Sequence, residues 1–244
     1  MKIIKSELFE KYPQVKFAFS TKIGLERGAP YYFNMSQSVG DDEKLVEENR
    51  KLFFSSIGLT SAQIAFLKQV HEDGIKIVTH AGYQGESDAM ITKEKNIGLT
   101  VSTADCTPIF IFDKEREIIA AVHSGWRSTK EKILQKTLQK LKSDFNSNPK
   151  NLIAYIGPCI SQKNYEVGEE FKNFFDEKYL QPKEDKYLLD LKAANRDMLI
   201  EYGVKSDNIE VSNLCTFEKE YLHSYRRDGK VSGRALGIIA LKKD

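Results

Sequence analysis

The chain has 244 residues, 41% hydrophobic and 30% charged, which suits a folded core without staples and excludes disorder or collagen-like repeats. Its 37 basic and 35 acidic side chains leave a net charge of +2, so nothing in the balance demands nucleic acid or an anionic membrane. The longest apolar run, Ile118 to Val122, is five residues, against about 18 for a membrane span.

In chain order, Val15–Ser20 reads as a strand. A helix capped by Asp41 or Asp42 runs to about Ser56, with Leu45, Asn49, Leu52 and Phe53 on one face and Gly58 as its stop. Strands follow at Ile64–Val70, Ile75–Thr79, Ile97–Ser102, Pro108–Phe112 and Glu117–His123. A helix from about Ser128 to Lys142 places Leu134, Leu138 and Leu141 in one stripe, with its lysines on a solvated face. Asn151–Ile156 is a strand, Glu169–Phe175 and Asp190–Tyr202 are helices, and strands Ile209–Leu214 and Leu236–Leu241 close the chain. Several strands are continuously apolar, as expected where both faces are covered. The expected fold is mixed α/β (α+β): one domain over residues 1–244, with mixed β-sheets layered between helices.

Three cysteines make no even disulfide framework and point to the reducing cytoplasm. The charged start MKIIKSELFEKY does not read as a signal peptide.

Chemistry gathers at strand ends, where α/β proteins build sites. Gln69-Val70-His71 and Val122-His123-Ser124-Gly125-Trp126-Arg127 each end a strand, and Ala104-Asp105-Cys106 turns into another. Two histidines and a cysteine with an open fourth position form a catalytic zinc set, and the open position holds water whose pKa the metal lowers. These three lack metal-finger spacing. The same atoms also suit a Cys106 nucleophile with His123 as base, the ring oriented by Asp105 or Asn49. Asp105 is a candidate acid/base or orienting group.

Residues 124–129 leave a strand and open a helix, a place for an anion with Arg127 alongside. Residues 156–159 form a weaker glycine turn. Arg226, Arg227 and Arg234 cluster around turn residues and either clamp an anion or decorate a solvated hairpin. Cys159 and Cys215 read as small buried hydrophobes, and His80 and His223 as surface histidines.

Taken together, FSTKIG at 19–24, VGDD…ENR at 39–50, QVH at 69–71, SDAMIT at 87–92, ADCTP at 104–108 and AVHSGWR at 121–127 resemble the YfiH-type family. So do IGPCI at 156–160, YEVG at 165–168, CT at 215–216 and SYRRDG…GR at 224–234. The family is also described as laccase-domain or multicopper polyphenol oxidase-like. The resemblance implies that His71, Cys106 and His123 bind Zn²⁺, in a three- to four-layer fold grouped with cysteine hydrolases. It implies phosphorolysis of adenosine, inosine, guanosine and methylthioadenosine, and deamination of adenosine. His71, Cys106, His123 and Asp105 are then the catalytic residues. Arg50, Arg127 and Arg226 become phosphate ligands, and the partners are purine nucleosides and phosphate in a cytoplasmic monomer or weak homodimer. Four histidines and three cysteines cannot furnish a blue-copper site plus a trinuclear cluster. The rival function is amide hydrolysis that removes a wrongly incorporated amino acid from a UDP-muramyl cell-wall precursor; a non-catalytic partner-binding module ranks last. Lys22, Ile23, Ser128 and His223 depart from the family pattern.

Overall fold

The structure, a computed structural model, describes residues 1–243; Asp244, the end of the expected 1–244 domain, lies outside them. The chain opens with β1 (Ile3–Ile4), α1 (Glu7–Glu10), β2 (Val15–Ser20) and α2 (Glu43–Ser55). Six strands then follow: β3 (Ile64–Lys68), β4 (Ile75–Ile77), β5 (Gly82–Glu86), β6 (Ala89–Thr92), β7 (Gly98–Thr103) and β8 (Thr107–Asp113). Next come β9 (Ile118–Ser124), α3 (Trp126–Lys130), α4 (Ile133–Phe145) and β10 (Leu152–Ile156). The remainder is β11 (Glu166–Val167), β12 (Leu180–Lys183), β13 (Lys186–Leu189), α5 (Leu191–Glu201), β14 (Ile209–Val211), α6 (Tyr225–Asp228) and β15 (Ala235–Leu241).

Two six-stranded mixed sheets stack face to face. One has the order β1-β2-β15-β7-β3-β5, the other β14-β10-β8-β9-β6-β4. Phe17, Phe19, Leu99, Val101 and Ile239 of the first sheet meet Phe110, Phe112, Ile119, Ala121 and Tyr155 of the second in a common core. The outer face of the first sheet buries Ala18, Ile238 and Ala240 against Phe53 and Phe54 of α2. The outer face of the second buries Ile109, Ala120 and Val122 against Leu134, Leu138 and Leu141 of α4 and Leu199 of α5. The result is four layers, helix–sheet–sheet–helix. Strands β8, β9 and β15 are buried at every residue, which is why they read as apolar runs instead of alternating. A small sheet, β11-β13-β12, carries a separate aromatic cluster with Trp126, Phe171 and Tyr165.

Between β3 and β8 the chain changes sheet at every step. The β3–β4 and β7–β8 connections therefore both cross the gap between the sheets, and His71 and Cys106 sit on them.

Some elements differ from expectation. The helix expected over 128–142 is two helices, α3 and α4, separated by Lys132 in the left-handed conformation (φ 61°), where no glycine or proline marks a break. Residues 169–173 form a 3₁₀ segment, favoured where a short stretch cannot close a full α-turn ladder. The short strands β1, β5, β6 and β11–β13 have no counterpart among the expected strands: β5 carries two glycines and β11 has two residues, too few for a periodic signal. Asp42 and Asp190 do cap α2 and α5, each accepting backbone N–H bonds of the first turn.

Candidate active site

His123 lies at the end of β9 on the same face as Ile119 and Ala121, so strand alternation aims it into the gap between the sheets. His71 and Cys106 arrive there on the two crossover loops. The ligand atoms of all three lie within 4.8 Å of one another, with the two imidazoles edge to face at 4.8 Å. The structure thus assembles the trio that the sequence suggested from fifty residues of separation.

Each member is held by specific bonds. The Gln69 side chain donates to Ser102 O (2.8 Å) and accepts from Ser102 N (2.7 Å), extending the β3–β7 pairing up to His71. His71 takes a left-handed backbone (φ 63°). The flanking amides of Val70 and Glu72 both donate to Asp88 Oδ2, at 3.0 and 2.9 Å. The other oxygen of Asp88 bonds His123 Nδ1 at 2.7 Å. One buried carboxylate therefore orients both histidines and leaves His123 Nε2 for the trio. This corrects the expectation that Asp105 or Asn49 orients the ring. Asn49 is on α2, where it donates to Asn34 O and accepts from Arg27. The missed signal was an aspartate placed directly before a fully buried strand, β6.

Gly125 explains the glycine after His123-Ser124. A Cβ there would lie 2.9 Å from Cys106 Sγ and 3.3 Å from His71 Cδ2.

Burial opposes ionisation of Cys106 and His123, yet their mutual attraction wins. His123 and the hydrogen bonds of both histidines bring the Cys106 thiol down to about 6. Cys106 and Asp88 lift His123 to about 9 against burial. The attraction of each for the other favours the charged pair, thiolate beside imidazolium, over the neutral one. The donor set, thiolate and imidazole, is the one borderline-soft ions such as Zn²⁺ prefer. Bond lengths of about 2.0–2.3 Å place tetrahedral ligands roughly 3.3–3.8 Å apart, so small side-chain shifts close the trio on an ion.

The trio opens into a cavity of about 800 Å³, lined also by Arg50, Arg127, Arg226 and Arg234, and by Trp126, Tyr165 and Tyr225. The three arginines expected at the site all reach it. Arg127 lies over Trp126 and Arg226 over Tyr165. Arg50 donates Nε to Met35 O at 2.7 Å. Burial draws the guanidinia of Arg50 and Arg234 below their ordinary value. Arg227 turns away, saturated by Asp228 and the carbonyls of Thr216, Phe217 and Leu222. Lys22 is likewise neutralised by Asp228 at 2.7 Å.

Asp105 lines the cavity with a strained backbone (φ 89°). Its carboxylate accepts from Thr216 Oγ1 and from Arg226 N, both at 2.6 Å.

Away from the site, His80 is exposed, but His223 is 1% exposed with neither ring nitrogen hydrogen-bonded, a correction to its surface reading. Cys159 is a buried hydrophobe; Cys215 is buried too, but accepts hydrogen bonds from Ser161 N and Oγ.

A family model described as multi-copper polyphenol oxidoreductase laccase matches residues 16–242. A protein of Bacteroides thetaiotaomicron named purine nucleoside phosphorylase is 31% identical, covering 97% of this chain and 95% of its own. Purine nucleoside phosphorylase YfiH of Escherichia coli is 35% identical over 91% and 92%. The crystal structure of YfiH from Bacillus licheniformis superposes with a TM-score of 0.91 at 31% identity, covering 96% and 95%. His71 and His123 share one site with Cys106, His80 is exposed and His223 is buried elsewhere, so no histidine set remains for a second, trinuclear centre. With this fold and these motifs, the chain belongs to the YfiH-type family described as multi-copper polyphenol oxidoreductase laccase.

Proposed function

We propose that the chain is a zinc-dependent purine nucleoside phosphorylase acting on adenosine, inosine, guanosine and methylthioadenosine, with adenosine deaminase activity at the same site. One observation carries this reading: a single cavity faces both a His–Cys–His donor set and the guanidinia of four arginines. The names of the relatives at 31% and 35% identity support it.

His71, Cys106 and His123 hold the metal, and Asp88 fixes the ring of His123. Bound there, zinc supplies Lewis-acid polarisation. The arginines hold phosphate against the sugar and neutralise its charge as its oxygen bonds to C1′ and the bond to the base breaks, the released purine nitrogen taking up the proton that the hydrogen phosphate gives up. Base and sugar 1-phosphate result. Trp126, Tyr165 and Tyr225 offer aromatic faces to the purine. Asp105 positions Arg226 through its backbone N–H; a proton-shuttling role in deamination requires one of its two bonds to open. The partners are nucleosides and phosphate, with no part for nucleic acid or membrane, in a cytoplasmic monomer or weak homodimer. No helix among the described residues is long and apolar enough to cross a membrane.

Chromatography of adenosine incubated with zinc-loaded protein, with and without phosphate, tests the reading. Adenine and sugar phosphate appearing only with phosphate establish the phosphorylase, and inosine in either sample adds the deaminase. An unchanged adenosine peak in both defeats it.

The chain Cys106–His123–Asp88 favours a second reading, thiol-dependent hydrolysis of an amide in a UDP-muramyl cell-wall precursor. An acyl-enzyme trapped on Cys106 would select it.

A further inference from the structure

The arginines of the cavity fall into two kinds. Arg127 and Arg226 are exposed at its rim; they lie over aromatic rings, as Arg234 also does over Tyr225. Arg50 and Arg234 are half-buried in its wall, and among the described residues neither has a carboxylate partner. Their hydrogen bonds go to backbone carbonyls alone: Arg50 Nε to Met35 O, and Arg234 Nη1 to Ser232 O (2.6 Å) and Gly233 O (3.1 Å). Both nitrogens Nη1 and Nη2 of Arg50, and Nε and Nη2 of Arg234, have no protein acceptor among the described residues.

The two are also tied together. Met35 O accepts from Arg50, while Met35 N donates to Arg234 O at 3.0 Å. Arg234 N is anchored in turn to Asn34 Oδ1 at 2.8 Å. Ser36 and Ser38, their hydroxyls 2.9 Å apart, line the same wall. Arg227, seven residues before Arg234, shows the opposite case: a guanidinium fully spent on protein acceptors. Asp105 and Cys106 act on Arg234 only at a distance, with no hydrogen bond to its guanidinium, and a planar guanidinium with free donors matches a tetrahedral oxyanion.

We propose that Arg50 and Arg234 together form the seat of a phosphoryl group, and that Arg234, which was not among the phosphate ligands suggested by sequence, is one of its two principal contacts. The assignment rests on the phosphorylase reading for its first ligand, orthophosphate. The diphosphate of a nucleotide-linked substrate shares the same chemistry.

Titration calorimetry of the zinc-loaded protein with orthophosphate, and separately with uridine diphosphate, tests this. Arg50→Gln and Arg234→Gln are each expected to weaken orthophosphate by about tenfold or more, as loss of a charged hydrogen-bonding partner does. Arg127→Gln and Arg226→Gln are expected to weaken it less. In turnover, Arg234→Gln raises KM for phosphate and leaves KM for the nucleoside within about twofold, while Arg234→Lys, keeping the charge, recovers part of the binding. Binding of uridine diphosphate but not orthophosphate, lost in Arg234→Gln, would keep the seat and defeat the phosphorylase reading. The seat itself is overturned if folded Arg234→Gln binds both probes as the wild type does, if the rim variants lose more than the wall variants, or if the wild type binds neither probe.

Discussion

Two histidines of this chain are buried alike, and their surroundings shift them in opposite directions. His123, at the mouth between the sheets, has Asp88 on one nitrogen and Cys106 near the other, and is lifted to about 9. His223, packed behind Gly233 with Lys22 and Arg234 nearby and no anion in contact with either nitrogen, is pushed down to about 3 by burial first and then by Lys22 and Arg234, against the backbone of Phe33 and the charge of Asp228. Burial by itself disfavours the imidazolium in both places. What separates them is direct contact with anionic partners: Asp88 and Cys106 bond His123, while Asp228 acts on His223 only from a distance.

The sharpest way to break this contrast is to remove a partner at the first site. Cys106→Ala or His123→Ala is expected to lose stoichiometric zinc and at least about a hundredfold in turnover, measured by elemental analysis beside product chromatography. Full turnover in a metal-free variant would dismiss the metal reading. Next in size is Asp88→Asn, which keeps the shape but removes the charge that orients His123. A loss of about 10–100-fold in zinc affinity is expected in a chelator competition, and wild-type affinity would show that the 2.7 Å contact does not matter to the metal. Gly125→Ala places a methyl 2.9 Å from Cys106 Sγ. It should cost about tenfold in metal affinity, less than losing a ligand because the loop can yield slightly.

The smallest effect on turnover belongs to the second histidine. Because the folded state keeps His223 neutral down to about 3 against an ordinary 6.5, the unfolded chain binds one more proton across that window. Stability therefore falls as pH drops from 6.5 toward 3, with a slope of up to about 1.4 kcal/mol per pH unit from this group. His223→Phe, which keeps a ring in the buried space without a titratable group, removes that slope and leaves turnover at neutral pH in place. Denaturant midpoints between pH 7 and 4 measure it. An acid limb as steep as the wild type's would mean the ring finds a partner or is not the group responsible.

The legible part of the fold was the part with long, uninterrupted patterns. The strands of 107–113, 118–124 and 235–241 are buried throughout and apolar along most of their length because helices or a second sheet cover both faces. The caps Asp42 and Asp190 announce their helices. Edge strands of two to five residues carry too few positions to show a period, and the break at Lys132 has no compositional mark. At the site, His71, Cys106 and His123 are recognisable by residue type and by resemblance, while Asp88, inside SDAMIT at 87–92, carries no mark that separates it from a carboxylate that caps or turns.

By itself the sequence determined the donor chemistry: which side chains can bind a metal, which carry positive charge, and which strands must be buried on both faces. Only the tertiary structure decided how those groups are used. Hydrogen bonding and burial depend on neighbours brought from far along the chain: Asp88 reaches His123 across 35 residues, and Thr216 reaches Asp105 across 111. The same physics decides that Arg227 is spent on its own loop while Arg50 and Arg234 keep free donors toward the cavity.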